Sequence, residues 1–154
     1  MLLVQFPDDD TYAVVVGRAA EATVSLGPPV RAGDTSRMSV PVRVSATGLS
    51  VQTMMEVEDW AGGPIALVDF LDDLAASWRG WAGVKGWSDD GKNMTVAATH
   101  DGVGLVTLVV SMSPFYGLHL AGSWEVQVVV PVEPGSLAPL AERVRALLLG
   151  EAPR

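Results

Sequence analysis

Residues 38 to 47 read M-S-V-P-V-R-V-S-A-T, a strict alternation of apolar and other residues. Met38, Val40, Val42, Val44 and Ala46 fall on one side of an extended chain, and Ser39, Pro41, Arg43, Ser45 and Thr47 on the other. A period of two kept up this long predicts a strand with one face in a core and one toward water. Gly48 interrupts the run. The pattern then resumes as L-S-V-Q-T-M-M-E-V, with Leu49, Val51, Thr53, Met55 and Val57 inward. Thr47-Gly48 is therefore the expected tip of a hairpin. Pro41 has no N–H, which suits a sheet edge or a bulge better than a central strand.

The same period recurs on both sides of this hairpin. Tyr12, Val14 and Val16 share one face, as do Ala22, Val24 and Leu26, while G-P-P-V-R-A-G-D-T-S at 27 to 36 reads as an exposed loop. The period then lengthens. Leu67, Leu71, Leu74 and Trp78 recur at helical spacing with Asp69, Asp72 and Asp73 opposite, predicting a helix over 64–79 that opens at Pro64 and stops at Gly80. Strands return between 84 and 130, with D-D-G at 89 to 91 and D-G at 101 to 102 as tight hairpin signals. Trp124, Val126, Val128 and Val130 form the inward face of the last strand. A closing helix over 135–149 takes Ser136 as its N-cap ahead of Leu137, Leu140, Val144, Leu147 and Leu148.

Strands grouped with strands and only two helices predict an α+β domain spanning 1–154, with N-terminal strands within 1–57. The expected architecture is a single antiparallel sheet of about six to seven strands with two helices packed on one face. Its other face would carry Ser39, Arg43, Ser45, Ser50, Gln52, Glu56, Thr95, Thr99, Glu125 and Gln127, polar but poor in full charges.

Composition narrows function by exclusion. A net charge of −8 argues against nucleic acid and against anionic membrane surfaces, and allows a basic protein as partner, though acidity alone more often serves solubility. There is no cysteine, hence no disulfide, thiol catalysis or thiolate metal site. The opening M-L-L-V-Q-F-P-D-D-D lacks the basic stretch and apolar length of a secretory signal, and no apolar run approaches the roughly 20 residues that span a bilayer, so a cytoplasmic location is expected. Lysine occurs only at 85 and 92, isoleucine only at 65 and asparagine only at 93, the bias of a GC-rich bacterial genome.

The stretch W-R-G-W-A-G-V-K-G-W at 78 to 87 places three tryptophans where helix gives way to strand. An indole buries on the order of 200 Å2 and must also satisfy its N–H. A helix-to-strand corner offers both, and the intervening glycines let the backbone approach the rings. These tryptophans are therefore expected to anchor the helix to the sheet, with Trp60 and Trp124 in the same core. F-L-D-D-L-A-A-S-W-R-G-W-A-G-V-K-G-W, followed by A-x-x-H-D-G-x-G, Trp124 and a leucine-rich closing helix, resembles a family of small uncharacterised bacterial proteins. The resemblance covers roughly residues 36 to 149 and is most specific over 70 to 87. In that family's pattern a histidine often follows the H-D-G-x-G segment, where this chain has Leu105, which weakens a two-histidine site. No activity comes with the resemblance.

Candidate chemistry is sparse. His100-Asp101 is the one pair of catalytic type, but adjacent residues of a strand point to opposite faces, so a structural histidine beside a turn aspartate is expected. His119 is the only other histidine, and neither a metal site nor a cofactor is expected. There is no nucleophile elbow, P-loop or dinucleotide fingerprint. Asp69, Asp72 and Asp73, extended by Glu56, Glu58 and Asp59, form a candidate acidic surface. The expectation is a non-enzymatic protein-binding module of the inhibitor or immunity type, directed at a basic protein. The alternative is a small-molecule or enzymatic site in which His100 meets Trp60, Trp81 or Glu56 in a tryptophan-lined pocket. Homodimerisation through the polar sheet face or the Pro41 edge is the third.

Overall fold

The structure is a computed structural model and describes residues 12–31, 37–58, 63–114 and 118–150. Its first sheet contains β1 (Val14–Arg18), β2 (Ala22–Leu26), β3 (Val30–Arg31), β4 (Arg37–Ala46) and β5 (Leu49–Glu58). β5 runs antiparallel along all of β4, from Arg37 opposite Glu58 to Ala46 opposite Leu49. The far side of β4 is divided, with β2 paired to Val42 through Ala46 and β3 to Met38 and Ser39. β1 borders β2. After α1 (Gly63–Ala76) comes a second antiparallel sheet in chain order: β6 (Lys85–Ser88), β7 (Met94–His100), β8 (Val106–Met112) and β9 (Val126–Val132). A single 3-10 turn at Pro134–Ser136 leads into α2 (Leu137–Leu149).

The fold is α+β with antiparallel sheets, as the periodicities predict, but there are two sheets where one was expected. The reason lies at the free edge of β5. The Glu56 N–H donates to Asp89 Oδ2 (2.9 Å), the Glu56 carbonyl accepts from the Asp90 N–H (3.1 Å), and the Met54 carbonyl accepts from Asn93 Nδ2 (3.1 Å). The turn between β6 and β7 thus covers the edge that another strand would otherwise extend, and the ladder ends there. Both sheets feed one core: a small apolar void of about 50 Å3 is lined by Val24 and Leu26 from the first sheet, Val96 and Leu108 from the second, Leu67 and Leu71 from α1, and Leu140 and Val144 from α2. The two helices also pack against each other.

Pro41 sits in the middle of the first sheet, contrary to the edge expectation. β4 has β5 on one side and β2 and β3 on the other, yet Pro41 falls in the gap between the last residue of β2 and the first of β3. Its carbonyl accepts from the Gly27 N–H at that gap (2.9 Å). A strand residue's N and O point to the same side, so the missing donor faces the place where the ladder is already interrupted.

Other local departures have equally plain causes. α1 ends at Ala76, so the apolar stripe stops at Leu74; the Gly80 N–H bonds back to the Ser77 carbonyl (2.9 Å) and Trp78 is turned outward, 51% exposed. In the D-D-G turn the left-handed residue is Lys92 (φ 55°) and not Gly91. Ser136 makes no side-chain cap, because the 3-10 turn before it brings helical backbone up to α2. Gly150 (φ 67°) closes α2 with its N–H on the Ala146 carbonyl. No helix among the described residues is long and apolar enough to cross a membrane.

Gly17 marks where the sheets press together. At φ 95°, a Cβ there would lie 2.3 Å from the Ala22 carbonyl oxygen in β2 and 2.8 Å from Val130 Cγ1 in β9. Gly48 (φ 74°) has nothing within 4 Å of an added Cβ. Gly48→Ala should therefore cost only the conformational penalty, about 1–2 kcal/mol. Gly17→Ala should cost a further ~1–3 kcal/mol from overpacking. Equilibrium urea unfolding of the two variants checks this; equal losses would show that β1 and β9 are not in tight contact.

Candidate functional site

The tryptophan corner and the H-D pair form one assembly. Trp81 follows the helix stop; its Nε1–H donates to the Ala98 carbonyl in β7 (3.3 Å), and its ring meets the His100 ring edge-on at 5.2 Å. Trp87 in β6 and Trp124 ahead of β9 are half-buried against the core. Trp78, by contrast, is no core anchor: its backbone carbonyl does the anchoring, while its indole faces outward beneath the Arg79 guanidinium at 5.0 Å.

His100 ends β7 with its side chain only 2% exposed. Nδ1 accepts from the Gly102 N–H (2.8 Å), and Nε2 lies 2.9 Å from the Trp78 carbonyl. An amide can only donate and a carbonyl only accept, so the ring holds its proton on Nε2 and its lone pair on Nδ1. Both nitrogens are thereby committed, one to the end of α1 and one to the β7–β8 turn. Gly80 packs against the ring, and it is its φ of 139° that favours glycine there, since an added Cβ would stand at an ordinary contact distance of 3.6 Å from Nδ1.

Asp101 points elsewhere. Its Oδ1 accepts from the N–H groups of Val103 (2.8 Å), Gly104 (2.9 Å) and Leu105 (2.9 Å). These amides, Leu105 foremost, hold its carboxyl down at about 2 from an ordinary 3.8. His100 Nδ1 and Asp101 Oδ1 are 3.9 Å apart, but the Nδ1 lone pair already serves Gly102, so the two side chains order the turn through separate hydrogen bonds. The product of this ordering is a rigid apolar tip, with Val103 91% and Leu105 41% exposed. Val103, Trp78, Arg79 and Pro134 line a shallow hollow of about 390 Å3, and Leu105 continues into a neighbouring one of about 450 Å3 with Val15, Arg18 and Arg143.

Among the described residues, the acidic side chains of α1 are largely paired. Asp72 pairs with Arg145 of α2 and Asp73 with Lys85 of β6 (2.7 Å), so two of the three α1 carboxylates are matched by cations. Asp69 is exposed on the same helix. Glu56 accepts from the Ser39 hydroxyl across the first sheet (3.0 Å). Glu58 is the last residue of β5; its side chain, together with Asp59 and Trp60, lies outside the described residues. No group of three or more His, Asp or Glu side chains able to hold a metal occurs among the described residues.

Sequence reasoning missed Asp89, which it treated only as a turn residue. The side chain is buried, its Oδ1 accepting from the Met94 N–H (3.1 Å) and its Oδ2 from Glu56. Burial raises its carboxyl above the ordinary 3.8, against the lowering effect of the amides of Glu56, Met94 and Asn93. The apolar tip was missed as well; exposed valine and leucine flanking an ordinary D-G turn leave no periodic signal.

The match to a known family covers residues 15–151, a family of unknown function, DUF6228. The chain belongs to that family. No curated protein and no solved structure matches it. What this DUF6228 chain can do chemically rests on its own side chains.

The Asp101 turn has a definite pH response. A carboxyl lowered on folding stabilises the folded form fully above its unfolded value, and that contribution is lost as pH falls through the folded value. Protection of the Val103, Gly104 and Leu105 amides should thus hold at neutral pH and fade between 3.8 and about 2. Proton NMR of these amides, with Asp101→Asn as reference, reads it; fading centred well above 3.8 would refute the assignment.

Proposed function

We propose that the chain is a non-enzymatic protein-binding module, of the inhibitor or immunity type, and that its partner is a basic protein. The rigid apolar tip carries this reading. Solvent-facing Val103, Leu105 and Trp78 are the kind of side chain that a soluble domain keeps outside when a partner covers it. Tryptophan and arginine dominate binding energy at interfaces, and Trp78 carries Arg79 against its ring. The three amide bonds to Asp101 fix the loop in advance, so little ordering entropy remains to be lost on contact.

The basic character of the partner follows from the whole-molecule charge of −8, which draws cationic proteins in at long range. The α1 patch adds little to this, since Arg145 and Lys85 neutralise Asp72 and Asp73. Steering therefore comes from the whole molecule, and adhesion from the tip.

Paired affinity capture tests the proposal, with wild type and Val103→Asp as baits. The variant alters an exposed loop residue and should fold normally. A basic protein retained by the wild type should be lost from the variant by about tenfold or more in affinity, and its association should slow as salt is added. A partner held equally by both baits would move the interface away from the tip. Light scattering at two concentrations distinguishes a second copy of the chain from a foreign protein.

A further inference from the structure

The outer face of the second sheet carries a feature that protein binding at the tip does not use. Across β7 and β8, Thr95 stands opposite Ser111, both side chains away from the core. Beside them, Lys92 from the β6–β7 turn, His119 from the segment after β8, and Trp124 and Glu125 ahead of β9 close a groove of about 380 Å3. That volume lies within the range of small-molecule sites, roughly 300–1,000 Å3. None of these six side chains makes a hydrogen bond to another described residue. The polar side chains of the neighbouring turns, Asp89, Asn93, His100 and Asp101, do find partners in the protein.

Lys92 is the second, independent observation. It is the one non-glycine residue with positive φ among those described, at 55°, held there by its N–H on the Asp89 carbonyl (3.2 Å). A non-glycine residue in this conformation costs of order 1 kcal/mol or more, and such strain concentrates where a side chain must be aimed at a ligand.

We propose that this groove is a binding site for an uncharged, hydroxyl-rich small molecule, a mono- or disaccharide. The chemistry of the lining selects this class. Lys92 and the Trp124 indole N–H only donate, Glu125 only accepts, and Thr95, Ser111 and His119 do both. A hydroxyl both donates and accepts, so a polyhydroxy ligand answers every one of them. An apolar ligand would leave these groups desolvated and unpaired. A phosphate or carboxylate would gain Lys92 but face Glu125, whereas the two together leave an uncharged ligand unopposed. Trp124 packs on the core while also lining the groove, which makes it a fixed apolar platform for the C–H face of a sugar ring.

The test is a 15N NMR titration of the full chain with glucose, galactose and maltose, with glucuronate as the anionic probe. At least one neutral probe should shift the Trp124 indole resonance and the Thr95 and Ser111 amides along one saturating curve. Thr95→Val with Ser111→Ala retains strand-compatible residues on the outer face; it should leave the thermal midpoint within a few degrees and weaken binding about tenfold. Trp124→Ala should abolish the curve, and Val103→Asp at the tip should leave it unchanged, which separates this site from the protein-binding proposal. Absence of saturation with all three neutral probes, tighter binding of glucuronate, or a curve indifferent to the double variant would each overturn the assignment.

Discussion

A buried carboxylate joins the two halves of this molecule. Asp89 belongs to the turn between β6 and β7 of the second sheet, and reaches the Glu56 N–H on the edge of the first. Burying it raises its carboxyl above the ordinary value, which reflects what desolvation costs there. Backbone donors from both sheets compensate, and in return the edge of β5 is covered at Met54 and Glu56. Asn93 repeats the device one carbonyl further along, on Met54. The same turn fixes Lys92 at positive φ, so the geometry of the outer-face groove follows from how the sheets are joined.

The opposite end is organised by similar means. His100 ties the Trp78 carbonyl at the end of α1 to the Gly102 N–H, and Asp101 gathers the next three amides. In both turns, polar side chains that resemble catalytic groups in the sequence are consumed in holding backbone. A histidine with both nitrogens engaged cannot relay protons without breaking a structural bond. What these bonds leave is surface: an apolar tip on a loop held by four amide hydrogen bonds, and a polar groove six of whose side chains make no hydrogen bond to another described residue.

Much of this architecture was legible in the chain. The alternation through Met38–Ala46 and Leu49–Val57 located β4, its hairpin and their inward faces, because burial of one sheet face imposes a period of two whatever the neighbours are. The stripe Leu67, Leu71, Leu74 located α1 for the corresponding reason. Trp78 extended that stripe in sequence but not in space, since periodicity cannot register where a helix stops. Pro41 was misjudged because its missing donor matters only on one side of the strand, and which neighbour lies there is a matter of strand order. The sequence expectation placed His100 as a structural residue beside a turn aspartate; in the structure His100 bonds Trp78 and Gly102, and Asp101 the amides of its turn. Asp59 and Trp60 fall outside the described residues.

Local pattern, then, determined most of the elements, their inward faces and the lack of any thiol, because these depend on residue type and on spacing within a few turns of chain; β3 (Val30–Arg31) was missed, inside a stretch read as an exposed loop. Tertiary structure decided that there are two sheets, that Asp89 seals the seam between them, and that α1's acids are largely paired. It also decided which polar side chains end without a hydrogen bond to another described residue, at Lys92, Thr95, Ser111, His119, Trp124 and Glu125. Those outcomes depend on which segments, far apart in sequence, meet at one edge or one face. Hydrophobic spacing carries no record of such meetings, because it encodes how deep a residue lies and not what lies beside it.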